Sequence, residues 1–321
     1  MNKEHEICCK SNMQQQINQE AIKHHYIPQF ILKNFCFDSF NHINYYDIKK
    51  AELHVNNTRE VFMQRNLYRD EINHGNKPTQ MELDFSKYEN EVAKIIKRFS
   101  EKNDIEITLE ENDSLLLFFA IMALRSINTL ENNFKNAKDS EKEFYAKWQE
   151  DGNLEDLWKR NLGWIVNCRS IEEVIKHPNI DDPFKMFMFR DTINFIGKYF
   201  IVLEKRGKQD FLIGDCYPVV ITGDIMSIHM FSYFPISPNR IIIIASHGVE
   251  GAPLSVRKFE DNILQKPKMS FDRKHLNIHV KKIYEPQVNM INNEIIRHSQ
   301  IGLVFKDADK VRIPITATIN K

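Results

Sequence analysis

The sequence predicts an α+β fold in which a helical middle separates a short β-hairpin from a β-rich second half. Three observations predict it. Apolar residues recur at spacings of three and four from Met81 to Phe99, the period of one helix face. The stretch from Leu115 to Leu130 is apolar nearly all round, as in a helix buried on most sides. From Phe200 onward, short runs rich in Val, Ile, Phe and Tyr are separated by Gly, Pro and Asn, the punctuation of strands. The expected organisation is a polar tail over 1–22 and one α+β domain over 23–321. Within it, a helical insert spans about 81–200, and the second half is a mostly antiparallel sheet with a last helix packed on it.

The folded part opens at His24-His25-Tyr26-Ile27-Pro28-Gln29-Phe30-Ile31-Leu32-Lys33-Asn34-Phe35. Pro28 suits the first turn of a helix and biases Ile27 to extended backbone. An extended entry at His25 therefore leads into a short helix reaching about Asn34. His25 lies beside the positive end of that helix, which favours a neutral imidazole, the form needed by a general base or a metal ligand. The same ring could equally cap a turn or bond a core carbonyl.

Ile43 to Ile48 and Glu52 to Val55 read as a hairpin, and 70–79 as a loop. On the helix from Met81 to Phe99, Glu82 and Glu89 are seven apart and share one edge, fit to hold a metal, to share acid–base work, or simply to be solvated. Thr108-x-x-Glu111 is a capping box for the next helix. Arg125 sits inside that apolar helix. A buried guanidinium stays charged, so it requires a carboxylate, a cluster of carbonyls or an anionic ligand as partner; Glu82, Glu89 and Asp215 are the candidate carboxylates. Ser170-x-x-Glu173 is a second capping box, and Asp182-Pro183 opens a helix reaching about Phe200. Gly207-Lys208 reads as the turn of a hairpin between Phe200–Glu204 and Phe211–Gly214. Further strands are expected at Val219–Ile221, Met230–Ile236, Arg240–Ala245, Asn277–Tyr284 and Gly302–Phe305, with a helix from Pro286 to about Gln300 between the last two. Ile241 to Ile244 is continuously apolar, as in a strand covered on both faces. Asp215 falls at a strand end, a place for a catalytic carboxylate and also for a turn-former. Asn293 lies mid-helix, where it would reach a site or tie two backbones together.

The string H-Y-I-P-Q-F-I-L-K-N-F resembles the opening signature of the DUF4238 family, a domain of unknown function, with the pattern H-Y-V-P-x-x-x-L-x-x-F. Asn66-Leu67-Tyr68, the acids Glu82 and Glu89, Arg125, Pro235-Ile236-Ser237-Pro238 and Asn293 follow in the family's order. Asp215 and Pro218 resemble its D-x-P turn, but two residues, Cys216 and Tyr217, separate them instead of one. The resemblance covers about Lys23 to Phe305 and implies a site without naming a reaction.

Lys plus Arg and Asp plus Glu each number 44, which excludes a protein that coats nucleic acid or an anionic membrane through a global field. Five scattered cysteines without a C-x-x-C point to a reducing, cytoplasmic setting, and the longest apolar run is too short to span a bilayer. G-x-S-x-G, H-E-x-x-H, G-x-G-x-x-G and the P-loop are all missing from the sequence. His275-x-x-x-His279 alternates like a strand and is not a zinc site. The expected catalytic set is His25, Asp215, Arg125 and Glu89, with Gln29, Asn34, Glu82, Asn293 and Lys274 binding substrate. Lys274 belongs to a basic segment with interleaved aromatics that suits a phosphate backbone or is a solvated surface. These types suit hydrolysis of a phosphate-containing substrate such as RNA or DNA, with bacterial defence as the expected setting. The alternatives are an anion- or nucleotide-binding sensor and a protein-interaction scaffold. The cofactor is left unknown, the acids admitting a divalent metal.

Overall fold

The computed structural model describes residues 23–75, 77–125, 154–168, 170–176, 198–222, 229–247, 258–260 and 262–313. The expected tail over 1–22, the end of the apolar helix expected to reach Leu130 and most of the helix expected to reach about Phe200 lie outside the described residues. The chain is α+β, as expected.

The strands are β1 (Lys23–His25), β2 (His42–Asp47), β3 (Glu52–Asn57), β4 (Met63–Arg65), β5 (Asp104–Thr108), β6 (Lys198–Lys205), β7 (Ile213–Gly214), β8 (Val219–Thr222), β9 (His229–Pro235), β10 (Arg240–Ser246), β11 (Lys268–Met269), β12 (His275–His279), β13 (Lys281–Ile283) and β14 (Gly302–Phe305). The helices are α1 (Gln29–Leu32), α2 (Glu71–His74), α3 (Gln80–Glu101), α4 (Leu109–Arg125), α5 (Leu154–Asn167), α6 (Ile171–Ile175) and α7 (Glu285–His298). Among the described residues the strands form four sheets, ordered β13-β6-β10-β9-β8, β3-β2-β14-β7, β11-β12-β5 and β1-β4. Every pair is antiparallel except β13 with β6.

β10 explains the layering. Its isoleucines alternate between two faces, as a strand requires. Ile242 and Ile244 join a core with α3, α4 and the opening segment, while Ile241 and Ile243 join a second core with Val288, Ile291 and Ile295 of α7. A strand so covered on both faces reads as one unbroken apolar run. Both capping boxes expected from sequence have their helix-start bond. The Thr108 hydroxyl accepts the Glu111 N–H at 3.1 Å and the Glu111 carboxylate accepts the Thr108 N–H at 3.1 Å. Ser170 accepts the Glu173 N–H at 3.2 Å. Arg240 pins the far end of α3, donating to the carbonyls of Phe99 (2.7 Å) and Lys102 (2.5 Å) and to Glu204 (2.5 Å). A cation there also meets the negative end of the helix.

The structure corrects three expectations and adds one strand. The hairpin expected around Gly207-Lys208 does not form: β6 pairs with β10 and β13, whereas β7 pairs with β14. Long-range pairing overrides the local turn signal there. Lys198–Phe200, expected to end a helix, begins β6. The strand expected over Asn277–Tyr284 is split after His279, and its halves, β12 and β13, enter different sheets. Strand β5 was not foreseen; its alternation is carried by Ile105 and Ile107 alone, both buried.

Candidate functional site

The short sheet β1-β4 sets the opening histidines in place. His25 pairs with Met63, and the Tyr26 N–H donates to the Phe62 carbonyl at 3.1 Å. Just beyond β4 the chain turns through Asn66 and delivers Tyr68 to the same place. His24 is fully buried, its Nδ1 accepts the Tyr68 N–H at 2.7 Å, and its ring stacks on Tyr68 with centroids 5.5 Å apart.

Tyr68 leads to Arg125. The Arg125 Nε donates to the Tyr68 hydroxyl at 2.9 Å, and that hydroxyl donates to the Arg125 carbonyl at 3.1 Å. Helix α3 supplies the rest. Glu82, Phe85 and Glu89 lie three and four apart, so they share a face. The Arg125 Nη1 donates to Glu89 Oε1, and its guanidinium lies 4.2 Å above the centroid of Phe85. Trp158 of α5 closes the end of α4 by donating to the Leu124 carbonyl at 2.9 Å. Arg125 is left 2% exposed. Its partner is therefore a carboxylate, and it is Glu89.

Burial moves two neighbours of this cation in opposite directions, while the field of the cation itself lowers both. His25 is lowered to about 4, first by burial and then by the Arg125 charge, with the Arg59 and Thr58 carbonyls opposing. Glu82 is raised to about 7 by burial and by Glu89, against the pull of Arg125. At neutral pH the imidazole is uncharged, and the carboxyl keeps its proton to a far higher pH than an ordinary glutamate does. His25 Nε2 and Glu82 Oε2 are both buried, and among the described residues neither has a hydrogen-bond partner. Buried polar atoms left in this way are uncommon in folded proteins.

The hydrogen bonds of the other expected residues lead elsewhere than to His25, Glu82, Glu89 or Arg125. Asp215 Oδ1 accepts the N–H groups of Gln300 (2.9 Å), Ile301 (2.9 Å) and Gly302 (3.2 Å), clamping the segment between α7 and β14. No hydrogen bond joins it to His25. Gln29 exchanges bonds with Thr58, at 2.8 Å from its amide to the carbonyl and 2.8 Å from the Thr58 hydroxyl. Asn34, just beyond α1, donates to the carbonyl of Ile236, just beyond β9, at 2.8 Å. Asn293 is exposed on α7; its neighbour Asn292 is buried and donates to the Asp210 carbonyl at 2.8 Å. Lys274 is exposed in the turn between β11 and β12. Among the described residues no group of three or more His, Cys, Asp or Glu side chains is arranged to hold a metal ion.

Sequence reasoning missed His24 and Tyr68 as members of the group. Their signal was present in the doubled histidine and in Asn66-Leu67-Tyr68, which lies in family order ahead of the acids.

The family described as protein of unknown function, DUF4238, matches residues 23–309. The chain belongs to the DUF4238 family. The match takes in all the members of the Arg125 group, from His24 to Arg125. No curated protein and no solved structure matches the chain.

Proposed function

We propose that this DUF4238 protein is a hydrolase acting on a phosphate-containing substrate, with RNA and DNA the first to test, and that its chemistry is centred on His25 and Glu82. The observation that carries the reading is a pair of buried atoms beside buried Arg125, His25 Nε2 and Glu82 Oε2, that have no hydrogen-bond partner among the described residues. A neutral imidazole is free to take a proton from water or a substrate hydroxyl. A carboxyl that stays protonated toward neutrality can give one to the leaving oxygen. Titratable groups displaced in opposite directions are a mark of assigned acid and base roles. Arg125 is already committed to Glu89 and Tyr68, so its role is to hold α3 and set the field rather than to touch substrate. Among the described residues no helix is long and apolar enough to cross a membrane, and a cytoplasmic setting belongs to this proposal.

The test is turnover of short RNA, DNA and a chromogenic phosphodiester as a function of pH. Activity requires neutral His25 and protonated Glu82, so the profile is a bell with limbs near 4 and 7. His25→Gln removes the acid limb together with most of the rate, and Glu82→Gln does the same at the alkaline limb. No turnover on any substrate, or turnover that both variants retain, sinks the reading.

A second reading is favoured by the sealed pairing of Arg125 with Glu89: the group is a structural keystone in an anion-binding module or protein-interaction scaffold. An anion-binding module gives ligand-dependent thermal stabilisation without turnover, and a scaffold gives neither.

A further inference from the structure

A cavity of about 250 Å³ lies beside β1, and its lining includes Tyr26, Tyr45 and Phe62 and the polar residues Asn56, Glu60 and Gln64. The three rings make a concave corner. Tyr26 and Phe62 have centroids 6.0 Å apart with planes 49° apart, and Tyr45 meets Phe62 edge-on at 6.2 Å and 69°. Among the described residues no lysine or arginine lines the cavity, whereas Glu60 does. A second negative charge acts from nearby: after burial, Asp215 is the next cause that raises the Tyr26 phenol, and it raises Tyr45 too.

Phe62 itself is held in an unfavourable backbone conformation. Its φ of 51° is in the left-handed region, where a bulky side chain is an outlier. The conformation is fixed by the Tyr26 N–H bond to its carbonyl and by burial of its ring, which is 4% exposed. Residues held in this way cluster at ligand clamps. Here the conformation sets Phe62 in the lining of a cavity that Glu60 also lines and that, among the described residues, has no lysine or arginine.

We propose that this cavity binds a small alkylammonium ion of about the size of choline. The face of an aromatic ring is negative and attracts a cation, most strongly when the cation is an alkylated ammonium that surrenders little hydration. Glu60 supplies the counter-charge, while Asn56 and Gln64 can bond a hydroxyl or carbonyl carried by the ligand. The volume lies below the range of about 300–1,000 Å³ usual for larger ligands, which limits the occupant to a handful of heavy atoms. The proposal does not depend on the acid–base reading of His25 and Glu82.

The experiment is a calorimetric titration of the full chain with choline chloride and, separately, with 3,3-dimethylbutan-1-ol, the neutral isostere of choline, at constant ionic strength. Choline is expected to bind roughly 10-fold tighter than the isostere or better, as ring–cation attraction in a desolvated corner implies. Glu60→Gln keeps a side chain able to serve the Asn57 capping box and is expected to weaken choline severalfold while leaving the isostere unchanged. Phe62→Leu is expected to weaken choline further. Equal affinity for choline and its isostere would reduce the cavity to an apolar hole and overturn the proposal. So would the absence of saturable choline binding, or a Glu60→Gln variant that binds choline as the wild type does.

Discussion

Replacing Arg125 by methionine removes one charge from a group built to balance it. Glu89, 18% exposed, loses its guanidinium partner; Tyr68 loses the donor to its hydroxyl; Phe85 loses the cation over its face. Methionine fills much of the vacated space, so the cost is electrostatic rather than that of a cavity. Breaking a buried ion pair from one side costs about 3–5 kcal/mol. At about 2 °C per kcal/mol for a chain this long, the melting temperature falls by roughly 6–10 °C. The loss depends on pH in a definite direction. Arg125 is what opposes the rise of Glu82, so its removal lifts that carboxyl further, and the folded variant holds protons that the unfolded chain releases. The variant therefore recovers part of its deficit as pH falls from 7 to 5. Adding Glu89→Gln to Arg125→Met should restore stability toward the wild type, with a coupling of about 1–3 kcal/mol. The assay is urea denaturation of the four proteins of this cycle at both pH values. A deficit below about 1 kcal/mol at pH 7 would refute the claim that the pair anchors α4 to α3. A deficit of the same size at pH 7 and pH 5 would refute the assignment of the charge balance.

Three further outcomes are expected. Glu82 is raised in the folded state, so its ionisation destabilises the fold increasingly as pH rises from the unfolded value near 4.5 to the folded value of about 7. Glu82→Gln should then exceed the wild type in stability by about 2–3 kcal/mol above pH 8, by less as pH falls, and by nothing below about pH 4.5, read from denaturation curves across that range. Asn292→Ala should cost about 2 kcal/mol, because the Asp210 carbonyl and the Leu212 N–H lose their partner inside the fold. Asn293→Ala, one position along and exposed, should stay within about 0.5 kcal/mol of wild type in the same measurement.

What was legible in the sequence was what local rules govern. The fixed φ of Pro28, the two capping boxes and the apolar face of α3 each act within a few residues, and each is found. Arg125 was legible for a different reason: a charge in an apolar helix states its own need for a partner, although sequence could not choose among Glu82, Glu89 and Asp215. What was not legible depends on phase or on distant pairing. Asn292 and Asn293 differ only by 100° around α7, and the apolar pattern did not fix which one faced inward. Asp215 at a strand end reads as catalyst or turn-former alike until the segment it clamps, about 85 residues downstream, is in place. The Gly207-Lys208 turn signal was sound locally and lost to partners that lie elsewhere in the chain.

The central position of β14 in its sheet has a consequence for how the protein is made. On one side β14 pairs with β2, and the Asn44 amide reaches the Lys306 carbonyl across 262 residues of chain. During synthesis the first hairpin must leave the ribosome and wait for almost the whole domain before the strand that covers its edge exists. At about 5–20 residues per second that interval is some tens of seconds. Throughout it β2 carries an unpaired edge, and Val55 and Leu53 of β3, exposed even in the finished fold, stand beside it. Such an edge invites pairing with other chains. This topology places the hazard of misassembly in the nascent chain, at an early hairpin completed late.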